Sequence, residues 1–195
     1  MSDVVIHQAR LYDLCAGIVF LGQRSRVYDR LVRHSRVGPG ERVLDLGTGT
    51  AYLARRMAAA VGPNGQVTGI DPSATMVRFA QRGAPANAVF RVGRAQELPF
   101  DDASFDLVVS CLAFHHIAPD DRPRALAEAH RVLAADGRLM LADLRRPRNV
   151  VVKKVFRHGL KTNPVDDAQV AAAGFELVAR DESWPLLQLM LARRI

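Results

Sequence analysis

Lysine is almost missing from this chain. Lys153, Lys154 and Lys161 are the only three, so the formal net charge of +7 is carried by arginine scattered along the whole length. Diffuse arginine reads as a compositional habit, not as the clustered stripe that follows a phosphate backbone. Aromatic residues are scarce too, at 6%, and the basic stretch at 145–161 offers no platform for stacked bases beyond Phe156. Cysteine stops at Cys15 and Cys111, with no C-x-x-C pair. That argues against a disulfide framework or a structural zinc site, leaves no metal expected, and suits a reducing compartment. No apolar run approaches the roughly 18 residues of a membrane span. The run at 11–21 is interrupted by Asp13 and Gly17, and residues 1–10 carry Asp3 and Arg10, unlike a secretory signal. A cytoplasmic, soluble protein is expected.

What is present is one organising stretch, Val43-Leu44-Asp45-Leu46-Gly47-Thr48-Gly49-Thr50-Ala51-Tyr52. An apolar run at 42–46 reads as a buried strand, breaks at two glycines, and resumes at 51–61 with helical spacing. Strand, glycine turn and helix together bring backbone close to a ligand and aim a helix N-terminus at it. Two familiar ligands are disfavoured. A nicotinamide dinucleotide needs a third glycine where Tyr52 stands, and no G-K-[ST] follows to make a phosphate-binding loop.

The length of 195 residues suits one domain, and about half the residues are apolar and a quarter charged, the usual globular balance. Residues 8–35 have helical spacing, weakened by Gly17 and Gly22, which predicts two helices joined near Gly22. Further strands are expected at 66–70, 88–92, 105–110 and 138–144. Helices are expected at 73–81, capped by Ser73, at 119–133, 149–160 and 165–173. Two last strands, 175–180 and 186–192, are separated by too few residues for a crossover helix and must pair as a hairpin. Strands alternating with helices predict an α/β fold: a mostly parallel seven-stranded sheet, covered on both faces, with one antiparallel strand.

In such a sheet the ligand sits beyond the carboxyl ends of the strands. Gly47, Gly49 and Thr50 follow the first strand. Asp71 follows the second, about 20 residues on, where a carboxylate can accept hydrogen bonds from both ribose hydroxyls. Gly93-Arg94-Ala95-Gln96 follows the third and Ser110-Cys111-Leu112 the fourth.

As an ordered set, Val43-Leu44-Asp45-Leu46-Gly47-Thr48-Gly49, Gly69-Ile70-Asp71-Pro72-Ser73, Ala95-Gln96-Glu97-Leu98-Pro99-Phe100, Phe105-Asp106-Leu107-Val108-Val109 and Arg131-Val132-Leu133-Ala134-Ala135-Asp136-Gly137-Arg138-Leu139 resemble the successive motifs of class I S-adenosylmethionine-dependent methyltransferases. Ala9-Arg10-Leu11-Tyr12-Asp13-Leu14 and Leu144-Arg145-Arg146-Pro147 are similar to the ubiquinone/menaquinone biosynthesis C-methyltransferase branch. The resemblance implies a Rossmann-like three-layer sandwich and a single methyltransferase domain over 1–195. Its parts would be a helical cap at 1–36, a cofactor-binding core at 40–144, and a short acceptor-side segment with the terminal hairpin at 145–195. It implies S-adenosyl-L-methionine as cofactor and S-adenosyl-L-homocysteine as product. Gly47, Gly49 and Thr50 would hold the methionyl part, Asp45 the turn and the amine, and Asp71 the ribose. Arg94 and Ala95 would flank adenine, and Cys111 would floor the site near the sulfonium. Tyr12 either closes over the cofactor or is core.

Three departures from the family pattern stand out. Ala51 replaces a third glycine. Arg94 replaces an acidic or amide residue, and arginine has no acceptor for the adenine amino group. The stretch 147–174 is shorter than the acceptor-covering segment of the quinone branch. Methyl transfer from a sulfonium needs a base only if the acceptor must lose a proton. His115 and His116, directly after the fourth strand, are the candidates, with His115 preferred. The alternative is that one shapes the pocket and the other is solvated. Ser110-Cys111-Leu112-Ala113 is not the [DN]-P-P-[YF] turn of amine methyltransferases, which leaves carbon or oxygen acceptors: quinone-like, lipid or secondary-metabolite. The basic stretch at 145–161 suits an anionic or membrane-associated acceptor, or is merely a solvated face. An RNA methyltransferase, a noncatalytic S-adenosylmethionine-binding protein and a homodimer are the remaining alternatives.

Overall fold

In the computed structural model, which describes residues 23–144, 165–182 and 187–195, the apolar runs form strands and the amphipathic stretches form helices. α1 (Arg24–Ser35) precedes β1 (Arg42–Leu46), α2 (Tyr52–Val61), β2 (Gln66–Asp71), α3 (Ala74–Gln81), β3 (Ala88–Val92) and β4 (Phe105–Cys111). Two 3-10 turns, Phe114–His116 and Pro119–Asp121, lead to α4 (Arg122–Val132) and β5 (Leu133–Leu144), then α5 (Asp167–Ala172), β6 (Phe175–Asp181) and β7 (Leu187–Arg194). The seven strands make one sheet in the order β3-β2-β1-β4-β5-β7-β6. β7 is antiparallel to β5 and to β6, and the other pairings are parallel. The expected sheet, with one reversed strand, is the one that forms.

Successive side chains of a strand point to opposite faces, and in the central strands both faces are dry. Val43, Leu107, Val109, Met140, Leu189 and Leu191 join the core under α1, α2 and α3. Their neighbours Leu44, Val108, Leu139, Leu141 and Met190 join a second core under α4 and α5. This is why β1 and β4 read as unbroken apolar runs instead of alternating ones. Each helix supplies one stripe: Val27, Tyr28, Leu31 and Ser35 from α1, and Leu53, Ala54, Met57, Ala58 and Val61 from α2.

β1 pairs β2 on one side and β4 on the other, so the chain reverses its winding between β1 and β4. A crevice opens at the carboxyl ends of such strands. Boundaries differ from expectation by more than two residues in two places. The helix expected at 119–133 splits, because Pro123 has no N–H to donate and is tolerated only in a first turn; α4 accordingly starts at Arg122. β5 starts at Leu133 instead of residue 138, because Leu133 pairs Phe105 before a register shift that brings Arg138 opposite Leu107. Ser73 caps α3 as expected, accepting from the Met76 N–H. The first helix of the 8–35 region and the helix expected at 149–160 lie outside the described residues.

Candidate active site

The crevice is built by stitching the end of β1 to the end of β2. Gly47 and Thr48 both donate their N–H to the Ile70 carbonyl, each at 2.9 Å. The Gly49 N–H donates to Asp71 Oδ2 at 2.9 Å, and the Ser73 N–H donates to Asp71 Oδ1 at 2.8 Å. Each Asp71 oxygen keeps lone-pair capacity for a ligand hydroxyl. Inside the turn, the Thr48 hydroxyl donates to Asp45 Oδ2 at 2.8 Å. Gly47 is left-handed at φ 72°, and a Cβ there would lie 2.3 Å from the Ala113 Cβ. Only hydrogen fits between the turn and the loop after β4. Ala51 adopts φ 64°, so the residue replacing the family's third glycine still takes a glycine-like conformation. On the facing strand, the Ser110 hydroxyl donates to the Leu46 carbonyl at 3.0 Å. Leu112 then turns left-handed at φ 53°, its N–H donating to the Ala142 carbonyl. A leucine held at positive φ beside a cleft marks backbone strain kept at a site.

Two lobes meet at this turn, and Gly47 and Gly49 line both. The larger, about 780 Å³, is walled by Leu46, Ile70, Met76, Leu112 and Ile117, with Asp71, Arg94, Gln96, Ser110 and His116 as its polar groups. The smaller, about 300 Å³, is lined by Arg24, Tyr28, Asp45, Thr48, Thr50, Tyr52 and Cys111 among others. Burial holds both acidic groups above the ordinary carboxylate range. Asp45 is pushed up to about 7, burial outweighing the Thr48 hydrogen bond and the Asp71 charge adding to it. Asp71 rises through burial against the pull of its Ser73 and Gly49 hydrogen bonds. The half-buried Cys111 thiol is driven far up by burial and stays protonated, which removes it as a nucleophile.

The two histidines take different places. His116 faces the large lobe, and burial plus the neighbouring His115 lower it to about 4, Asp143 opposing. It is therefore a neutral imidazole near pH 7. His115 is not among the residues lining either lobe; its ring packs against that of His116, centroids 4.0 Å apart. Its Nδ1 lies 2.5 Å from Asp143 Oδ1, and its N–H donates to Asp143 Oδ2 at 2.8 Å. Asp143, at the end of β5, is 3% exposed and accepts a further bond from the Leu144 N–H.

Of the residues singled out from sequence, Asp45, Thr50 and Cys111 meet in the small lobe and Asp71, Arg94, Ala95 and His116 in the large one. Tyr12 lies outside the described residues. Tyr52 does not block the turn. It lies against α1, its ring 4.8 Å from that of Tyr28 and edge-on. Sequence reasoning passed over Asp143 and Arg24, and placed Gln96 in the turn after the third strand without giving it a role. Asp143 carried a usable signal: an acid closing the apolar run Leu139-Met140-Leu141-Ala142, at the ligand end of β5, as Asp45 is in β1. Gln96 is buried at 7% exposure in the large lobe, an amide able to accept a hydrogen bond where Arg94 is not.

Comparison with known proteins gives the same answer as the geometry. A family described as a methyltransferase domain matches residues 43–137. The demethylmenaquinone methyltransferase of Symbiobacterium thermophilum is 31% identical over 178 residues, covering 88% of this chain and 70% of that protein. The chain belongs to the S-adenosylmethionine-dependent methyltransferases. A second member, the ubiquinone/menaquinone biosynthesis C-methyltransferase of Ectopseudomonas mendocina, is 32% identical over 162 residues and 80% of this chain; the chain spans only 62% of that relative's length. The crystal structure of a SAM-dependent methyltransferase from Aquifex aeolicus superposes with a TM-score of 0.71 over 86% of this chain and 89% of the other, at 19% identity, which speaks for the fold. In this chain the glycine turn, the acid after β2 and the loop after β4 stand in one crevice. Among the described residues no helix is long and apolar enough to cross a membrane.

Proposed function

We propose that this chain transfers the methyl group of S-adenosyl-L-methionine to carbon or oxygen of a small-molecule acceptor, quinone-like, lipid or secondary-metabolite. One observation carries the reading: a single glycine turn joins a large lobe ending in a ribose-type carboxylate to a small lobe containing an acid and a guanidinium. Nucleoside on one side and amino acid on the other is the composition of that cofactor. The residues fit it. Asp71 has acceptor capacity for ribose hydroxyls, Asp45 faces the amine, Gly47 leaves a cradle that a Cβ would fill, and Gln96 or the Ala95 backbone can hydrogen-bond adenine beside Arg94. Gly47, Gly49 and Thr50 frame the methionyl side, with Cys111 as its floor.

The bound cofactor supplies a methyl group already activated on a sulfonium sulfur. The protein has to align the acceptor and exclude water. Leu112, Ala113 and Ile117 form the apolar wall that does the second job. His116 adds a hydrogen-bonding group without adding positive charge beside a cationic donor. Asp143 holds His115, whose ring packs against that of His116, so the pair sets the orientation of the neutral His116 imidazole that faces the acceptor side of the large lobe. The names of the two relatives point to quinone-type acceptors, and the basic 145–161 sequence suits an anionic or membrane-borne one. We take residues 1–195 as one methyltransferase domain, and cytoplasmic residence as the setting.

Calorimetry with S-adenosyl-L-homocysteine should show saturable binding that Asp71→Ala abolishes while helical and sheet content persist. Incubation with methyl-labelled S-adenosylmethionine and cell extract should then label a small, extractable acceptor. Label appearing only in RNA would reject the acceptor class, and absence of any binding would reject the whole reading.

A further inference from the structure

Between β3 and β4 the chain runs from residue 93 to 104 with no helix or strand of its own. Its first part, Gly93 to Gln96, lines the large lobe. Its second part lies on α4, which brings the sequence motif at 95–100 against the one that begins at Arg131. We infer that Arg131, which lines neither lobe, is a positioning residue for the nucleoside end of the site: together with Glu128 it fixes the backbone that carries Ala95 and Gln96. The inference rests on the cofactor reading above and adds what shapes the wall against the base.

Arg131 makes five side-chain hydrogen bonds, as many as a guanidinium has N–H groups. Nε and Nη2 donate to Glu128 at 2.8 and 3.0 Å. Nη1 donates to the Phe100 carbonyl and to Asp102 Oδ1, both at 2.8 Å. Nη2 also donates to the Leu98 carbonyl at 3.1 Å. Glu128 closes the circuit, its Oε2 accepting from the Leu98 N–H at 2.7 Å. Leu98 is thereby held at both its N–H and its carbonyl. The Arg131 carbonyl accepts from the Ala103 N–H at 3.1 Å, which fixes the far end of the segment. The hydrogen bond from Arg131 holds the Glu128 carboxyl below the usual range, so the pair stays charged.

The near end is anchored as well. The Gly93 N–H donates to the Asp71 carbonyl at 3.2 Å, and the Glu97 N–H closes a turn on the Arg94 carbonyl at 3.2 Å. Residues 94–97 are therefore suspended between the backbone of the ribose-side acid and the Glu128–Arg131 pair. Leu98, Ala95 and Phe100 also pack on the second core, but apolar burial has no direction. Direction comes from the planar fork, which an ammonium cannot copy. The Arg131 and Glu128 side chains are 32% and 21% exposed, and an ion pair of that kind stabilises a fold only modestly. Its removal should thus be felt more in recognition than in stability, since a displacement of about 1 Å in a wall is enough to spoil it.

The test compares S-adenosyl-L-homocysteine with S-inosyl-L-homocysteine, which carries hypoxanthine in place of adenine. By calorimetry the wild type should favour the adenosyl ligand by about tenfold or more. Arg131→Lys keeps the charge and loses the fork. It should weaken the adenosyl Kd by about tenfold and bring the two ligands to within about twofold of each other. Glu128→Gln, which keeps the side chain's shape, should shift the preference the same way by a smaller factor, and it decides the matter if the lysine variant does not fold. Arg42→Lys is the control. Arg42 grips Asp106 at 2.7 and 3.2 Å where β1 and β4 begin, so its loss should lower the thermal midpoint and leave the preference for adenine intact. Equal losses for both ligands in Arg131→Lys would mean a loosened fold and overturn the inference, as would an unaltered preference or a wild type that binds both alike. If the wild-type protein bound neither ligand, the cofactor reading itself would fall, and the role of Arg131 with it.

Discussion

Asp45 is the residue whose protonation matters most to this protein. Its carboxyl is raised from 3.8 to about 7 in the fold, so between those values the folded state holds a proton that the unfolded state has released. Stability without ligand therefore falls as pH rises from about 4 to about 7 and is level above, a change on the order of 4 kcal/mol for this group. His116 works in reverse. Lowered from 6.5 to about 4, it binds its proton more tightly when unfolded, so its contribution to stability grows as pH rises from about 4 to 6.5. The two slopes oppose each other. Asp45→Asn should raise the thermal midpoint of ligand-free protein at pH 8, leave it nearly unchanged at pH 4, and weaken S-adenosyl-L-homocysteine binding at every pH. Since a ligand ammonium needs the ionised carboxylate, wild-type affinity should improve towards tenfold per pH unit below about 7 and then level off, and calorimetry across pH 5.5–8 checks this. A flat profile that Asp45→Asn leaves unaltered would contradict the role given to the acid.

At the scale of elements, the site depends on how closely the β1 turn approaches the loop after β4. Gly47→Ala would introduce a Cβ 2.3 Å from that of Ala113 at a φ of 72°. Left-handed strain costs about 1–2 kcal/mol, and overpacking about 1–3 kcal/mol. Ala113→Gly in the same chain should recover the second cost but not the first, which denaturant unfolding of the single and double variants would resolve. The turn, Asp71 and the sheet were legible in the sequence because the central strands are buried on both faces and written as apolar runs cut by glycine and proline. Other features were not, for reasons of partner and distance. The early start of β5 depends on Phe105 finding Leu133 across a register shift, and local spacing in 133–137 says turn. The grip of Asp143 on His115 joins residues 28 apart in sequence through the pairing of β4 with β5. Leu112 at positive φ has no signature at all, because leucine is not a residue that announces one.

For the whole molecule, hydrogen bonds tie the ends of β1, β2 and β4 into one crevice, and the proposed cofactor is read from that crevice, while fold and cofactor do not determine substrate. Ligand binding should be felt throughout the fold. At a hundredfold excess over Kd, S-adenosyl-L-homocysteine should add about 2.7 kcal/mol, which for a chain of this size is about 5–10 °C in thermal midpoint. A scanning-calorimetry shift under 2 °C at saturation would be at odds with the site described.

The glycine turn stands between the two lobes as a partition; among the described residues only Gly47 and Gly49 belong to both. Recognition in the proposed mode would be modular. A nucleoside fragment and an amino-acid fragment would each have walls of their own, and the bond joining them in the intact ligand would contribute by making the second encounter intramolecular. An inhibitor need not imitate the sulfonium at all. Two weak fragments, tethered across the turn by a linker slim enough to pass its glycine backbone, would gain affinity from the tether itself.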